Sequence, residues 1–235
     1  MPPVTVRTAV LALVAALLLI VRAQQPGPIF AFGSEPESFP TSVTAPPAVA
    51  PVLYRDRPDV RVLQLLASMN AMWAATFAAA GDDYERPRIE TRATPAAEGC
   101  GAGVSGWAGM YCARDKQIVV DLSDHQVVRA AGGDQTADDL LGYVLAHEVG
   151  HHVQMLRGVG LADTPAERLR LELHAQCLAG VWGKAAGRGP LPIEVFGVDA
   201  EHGSAADQQR WMETGRRAGR PADCDAIFED PGIAP

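Results

Sequence analysis

The stretch VLAHEVGHHVQ, residues 144–154, decides how the rest of the chain is read. It contains H-E-x-x-H as His147, Glu148 and His151, with a further histidine at 152. Each residue of a helix turns about 100°, so residues four apart lie about 40° from one another around the axis. On a helix, His147 and His151 project from one face, one turn apart, and two imidazoles there can share one tetrahedral metal ion. Glu148 stands beside the first of them and can lean over the site toward a water at the same ion, which suits a general base. The pattern is short, so its weight rests on what flanks it.

The flanks read as helices. Thr136 and Asp139 resemble a capping box and Gly158 can supply the closing turn, which predicts a helix over about 137–157. The next start signal is stronger: Thr164, then Pro165, then Glu167. It predicts a second helix to about Ala186, ending at Gly187. That helix carries RLELHAQCLAGVW, residues 170–182. Glu172 can complete a His₂Glu site with its fourth position open for water, the catalytic type of zinc centre rather than the closed structural type. His174 is its rival, but two residues along a helix is about 200°, so both cannot face one ion.

The run HEVGHHVQ, then RLELHAQCLAGVW, then HGSAADQQRWMETGRRAG (202–219) and a final Cys224-Asp225 resembles the neutral zinc metallopeptidases of exported bacterial proteins. These are zincins similar to the gluzincins, with a glutamate on the second helix as third ligand. The likeness covers about residues 59–228 and includes CG…YCARDKQIVVDLS (100–123). It implies a minimal zincin-like fold of class α+β, one Zn²⁺ held by His147, His151 and Glu172, Glu148 as the base, and hydrolysis of peptide bonds. In two places the chain departs from the family pattern. The family typically reads E-L-Q-A-D-C where this chain reads ELHAQC, so Gln176 stands in place of an aspartate. Four residues after Glu172, it can accept a hydrogen bond from a ligand histidine but brings no charge, which predicts weaker zinc binding or lower activity. The loop 187–203 is also short for the family.

Four cysteines, Cys100, Cys112, Cys177 and Cys224, form no C-x-x-C pair. Three pairings are open. Cys100–Cys112 would close a glycine-rich loop and Cys177–Cys224 would tie a helix to the C-terminal tail; the resemblance implies the same two.

Working outward, residues 8–21 (TAVLALVAALLLIV) carry no charge and follow Arg7. The run matches the apolar core of a signal peptide and is short for a membrane span, so residues 1–23 are expected to be a signal peptide or a membrane anchor. Eight of the 35 residues from 24 to 58 are proline and lack apolar periodicity, the composition of an extended linker. The peptidase domain is expected over 59–230. Asp59 can cap a helix that ends near Gly81 and buries Trp73 and Phe77. Residues 88–94 and 116–123 alternate as strands around the cysteine loop. Ser204 and Asp207 cap a last helix to about Ala218, before Gly219. Helix, strands, then three helices is an α+β order.

The formal net charge of −8, with no basic cluster, argues against a nucleic-acid partner. The expected partner is a peptide or protein substrate, paired along an edge strand near 116–122. His202, at a helix start, can donate to the oxyanion of the tetrahedral intermediate, and Tyr111 is an alternative donor. His152 faces about 100° away from His151 and suits packing. His125 reads as solvated, and Tyr143 as core or lining. A membrane-tethered module that holds zinc and captures peptides with little turnover is the alternative function; Gln176 favours it and Glu148 disfavours it.

Overall fold

The computed structural model describes residues 57–92, 109–122, 125–160, 162–190 and 202–233. The expected signal segment, nearly all of the linker and Cys100 lie outside them.

Helix α1 spans Pro58–Ala79. Proline at its first turn has the backbone angle a helix needs and lacks an amide that would go unpaired there. The expected cap at Asp59 is not formed: Arg57 precedes the helix and no side chain caps it. Asp59 lies inside the first turn, where its charge suits the helix dipole, and is held by the Arg57 guanidinium. Leu65, Met69, Met72, Trp73 and Phe77 form its buried stripe.

Three short strands follow: β1 Arg88–Arg92, β2 Gly109–Cys112 and β3 Gln117–Asp121. The order is β1-β3-β2, with β1 parallel and β2 antiparallel to β3. Ile118 faces Ile89 on one side and Tyr111 on the other. This corrects two expectations. Residues 109–112 form a strand within what reads as a cysteine loop. The segment near 116–122 is the central strand, with both edges paired, so no substrate can add to it.

Helix α2 runs His125–Leu156 with a break at Gly133, where φ 83° and ψ 172° leave the helical region. Only glycine takes such angles without strain. The second half of the helix starts at this break, three residues ahead of Thr136, so Thr136 is not its cap, and its hydroxyl donates to the carbonyl of Gly132 instead. His125 is half-buried at the start of this helix rather than solvated in a loop. Asp138, on the second half of α2, is paired in the interior with Arg61 of α1 and with Arg188.

Helix α3, Pro165–Ala185, has the complete capping box expected of it: Thr164 accepts from the Glu167 amide, and Glu167 accepts from the Thr164 amide. Helix α4, Ala205–Ala218, is capped by Ser204 and closed by Gly219 at φ 67°. Helices α3 and α4 pack with backbones in near contact. A Cβ on Gly180 would lie 2.1 Å from the Met212 carbonyl oxygen, and one on Gly215 would lie 1.9 Å from that of Cys177. A 3-10 segment, Pro221–Glu229, then turns back onto α3, where Cys224 is joined to Cys177. Cys112 is also disulfide-bonded, and its expected partner, Cys100, is outside the described residues. The core lies between α1, the inner face of the sheet, α2 and α3. The fold is α+β, as expected.

Candidate metal centre

His147, Glu148 and His151 lie on α2, and Glu172 on α3 crosses in front of them. The atoms His147 Nε2, His151 Nε2 and Glu172 Oε2 converge on one point. They are 3.1 Å (His147 to Glu172), 3.2 Å (His151 to Glu172) and 3.1 Å (His147 to His151) apart. A tetrahedral zinc with ligands about 2.0–2.1 Å away sets its donors about 3.3 Å apart. The three residues therefore fit such an ion with little movement.

The outer edges of both imidazoles fix which nitrogen faces inward. His147 Nδ1 is 3.1 Å from Gln176 Oε1, and His151 Nδ1 is 2.9 Å from Gln154 Oε1. Both amide oxygens accept, so each Nδ1 carries a hydrogen and each Nε2 can present a lone pair to the centre. Three electron-rich atoms at that spacing need a positive charge between them. Without a metal, a proton supplies it. Burial is the largest single influence on His151 and pulls its pKa down. The charge and hydrogen bond of Glu172, with Glu148 and Gln154, together outweigh burial and raise it to about 9. Burial likewise pushes Glu172 up, but the His151 charge and the bonds from both histidines hold it well below the usual carboxylate range.

Glu148 is buried beside the triad. Burial raises its pKa, opposed by His147 and His151, which moves it toward the range useful to a base at neutral pH. The backbone of β2 lies directly over it at Gly109. The triad and Glu148 open onto a cavity of about 550 Å³. Gly109, Met110 and Tyr111 of β2 line one side; Met155, Leu171 and Arg168 line another.

His202 reaches the same cavity, with its Nε2 3.6 Å from Glu172 Oε2 and its side chain 39% exposed. Tyr111 lines the cavity too, but its hydroxyl is 2.9 Å from His152 Nδ1. His152 Nε2 is 2.7 Å from the Glu85 carbonyl oxygen, which can only accept, so the hydrogen sits on Nε2 and Tyr111 must donate to Nδ1. The Tyr111 proton is thus engaged away from the cavity, which removes it as an oxyanion donor. The same bonds explain His152 as a link between β2 and the segment before β1. Tyr143 is fully buried and donates to the Gly189 carbonyl, so it is a core residue.

His174 is fully buried and far around α3 from the triad, between Gln154 and Asp225. The sequence does not assign Gln154, which holds the outer edge of His151, or Asp225, which holds His174. Gln154 lies three residues after His151 in HHVQ, and that spacing on one helix face was the available signal. Asp225 gave no local signal. Gln176 sits where expected, on the outer edge of His147, but its Nε2 is buried without a hydrogen-bond partner among the described residues. Residues 191–201 of the short loop are not described.

A family model described as "Putative neutral zinc metallopeptidase" matches residues 4–194. The uncharacterized protein YpfJ of Escherichia coli (strain K12) is 30% identical over 199 residues, covering 69% of this chain and 69% of that one. The uncharacterized protein Rv2575 of Mycobacterium tuberculosis (strain ATCC 25618 / H37Rv) is 29% identical over 208 residues, covering 71% of this chain and 70% of that one. No solved structure matches the chain.

Proposed function

The chain belongs to the neutral zinc metallopeptidase family, and from that premise we propose that it is an exported, zinc-dependent peptidase that hydrolyses peptide bonds. The observation that carries this reading is the convergence of His147 Nε2, His151 Nε2 and Glu172 Oε2 beside a buried Glu148, at the wall of an open cavity. Those three residues would hold one ion. Bound there, zinc would polarise the scissile carbonyl and make water nucleophilic at neutral pH.

The chain's own residues supply the rest. Glu148 takes the proton of the attacking water and passes it to the leaving amine, a shuttle that suits its raised pKa. His202 donates to the carbonyl oxygen as negative charge develops on it. The substrate backbone lies along β2, whose residues line the cavity and which pairs only with β3 among the described residues. Residues 1–23 direct export or anchor the chain, and 24–58 space the domain from the membrane. The Cys177–Cys224 disulfide suits an oxidising compartment.

Peptide hydrolysis by metal-quantified protein, measured beside Glu148→Gln, tests the reading. The variant should keep its zinc and lose turnover; equal activity in both would sink the proposal. The peptide-capturing module remains a second reading, favoured by the uncharged Gln176, whose amide nitrogen has no partner among the described residues. Stoichiometric zinc with no turnover on a broad peptide library would select it.

A further inference from the structure

Behind His151 lies a buried chain of hydrogen bonds that leaves the metal centre and ends in the C-terminal 3-10 segment. His151 Nδ1 is 2.9 Å from Gln154 Oε1. Gln154 Nε2 donates to the Leu171 carbonyl at 2.7 Å and reaches His174 Nδ1 at 3.0 Å. His174 Nε2 is 3.1 Å from Asp225 Oδ1. Both oxygens of Asp225 are in turn held by the two terminal nitrogens of Arg157, at 3.0 and 2.9 Å. Gln154 is 1% exposed and His174 not at all.

Each bond can run in one direction only. Asp225, paired with Arg157, accepts, so His174 carries its hydrogen on Nε2 and offers a lone pair at Nδ1. The Leu171 carbonyl also accepts. Gln154 therefore faces two acceptors with its amide nitrogen, and its oxygen must face His151. Were the amide reversed, its oxygen would meet two acceptors. Its nitrogen would then drive the hydrogen of His151 from Nδ1 to Nε2, the atom that faces the centre.

We propose that the segment Pro221–Glu229 is part of the metal site: Asp225, acting through His174 and Gln154, selects the His151 tautomer that can ligate zinc. His174, Gln154 and Asp225 are positioning residues, and the Cys177–Cys224 link beside Asp225 keeps the last of them in place. Asp225 and Cys224 lie beyond the span matched by the family model. The inference rests on the reading of His147, His151 and Glu172 as zinc ligands.

The test uses the full chain and two variants, His174→Phe, which keeps a ring and removes both nitrogens, and His174→Gln, which can still accept from Gln154 and donate to Asp225. Zinc affinity is measured by chelator competition on protein shown to be folded by circular dichroism. The visible spectrum of the cobalt-loaded protein is recorded alongside it. His174→Phe should bind zinc about 10-fold or more weakly and shift the cobalt bands, and His174→Gln should recover most of the affinity. If His174→Phe does not fold, Gln154→Met, which removes the acceptor facing His151, carries the same expectation. A lower melting temperature with unchanged zinc affinity and cobalt spectrum would overturn the relay and leave the zinc reading standing. A parent chain that binds no zinc would overturn the zinc reading, and the relay with it.

Discussion

Gly109 and Glu148 touch so closely that no side chain fits between them: a Cβ on Gly109 would lie 2.4 Å from Glu148 Cγ and 2.9 Å from its Oε1. The strand proposed to dock the substrate backbone is thus also the lid over the proposed base. Gly109→Ala must push the Glu148 carboxylate aside, and a misplacement of about 1 Å can lower turnover about 100-fold. We expect kcat to fall by about 10–100-fold with zinc content unchanged, because the three atoms nearest that Cβ all belong to Glu148 rather than to a proposed ligand. Full activity in Gly109→Ala, measured on a peptide cleaved by the parent, would show that Glu148 has room to spare.

Gln176 gives a second prediction. Its oxygen accepts from His147 as the expected aspartate would, but its buried amide nitrogen has no partner among the described residues. An unmatched buried donor costs about 1–3 kcal/mol. Gln176→Glu keeps the length, removes the donor and places a charge behind His147, which raises the basicity of that ligand. Zinc should bind about 10-fold more tightly. Chelator competition reads this directly, and an unchanged constant would mean that the amide serves His147 as well as a carboxylate does.

What could be read from the sequence was what is local. Thr164, Pro165 and Glu167 signal a helix start through bonds spanning three residues, and that capping box forms. The pairing of His147 with His151 follows from helical spacing alone, and Glu172 from the need for a third donor on the next helix. Thr136 misled for an equally local reason: its capping pattern is intact, but the break falls three residues earlier, at Gly133, and its hydroxyl is used as a donor to the Gly132 carbonyl. Strand β2 was missed because GMYC is four residues long, opens on glycine, and becomes a strand only by pairing with β3. For the same reason the central place of β3 was hidden. Asp225 meets His174 across 51 residues, through a disulfide and a chain reversal, and no sequence periodicity reports such a contact.

The disulfide should be measurable in stability. It joins residues separated by 47 positions and fastens the 3-10 segment to α3. Cys224→Ser is expected to cost about 2–4 kcal/mol, seen as a lower denaturant midpoint under non-reducing conditions. The parent in reductant, which also opens the Cys112 disulfide, should fall at least as far. A midpoint unmoved in both cases would mean that the packing of Ile227 and Ile233, rather than the bond, holds this segment.

The strongest linkage is between zinc and protons. In the metal-free centre His151 has its pKa raised to about 9, so at neutral pH it carries the proton that keeps its Nε2 compatible with Glu172. Zinc needs that lone pair and must displace the proton. Between neutral pH and about 9, each unit rise in pH should therefore tighten zinc about tenfold, and the gain should level off above the pKa of His151. Calorimetry in buffers of different ionisation enthalpy should show about one proton released per zinc at pH 7. The stability of the metal-free chain should run the other way. A histidine whose folded pKa exceeds its unfolded value of about 6.5 contributes fully below that value, and the contribution is lost as pH rises through the folded pKa. The metal-free melting temperature should thus fall between about 6.5 and 9, while the zinc-loaded protein, with no proton there to lose, should show no such decline. Parallel pH profiles for the two forms would contradict a proton shared between His151 and Glu172.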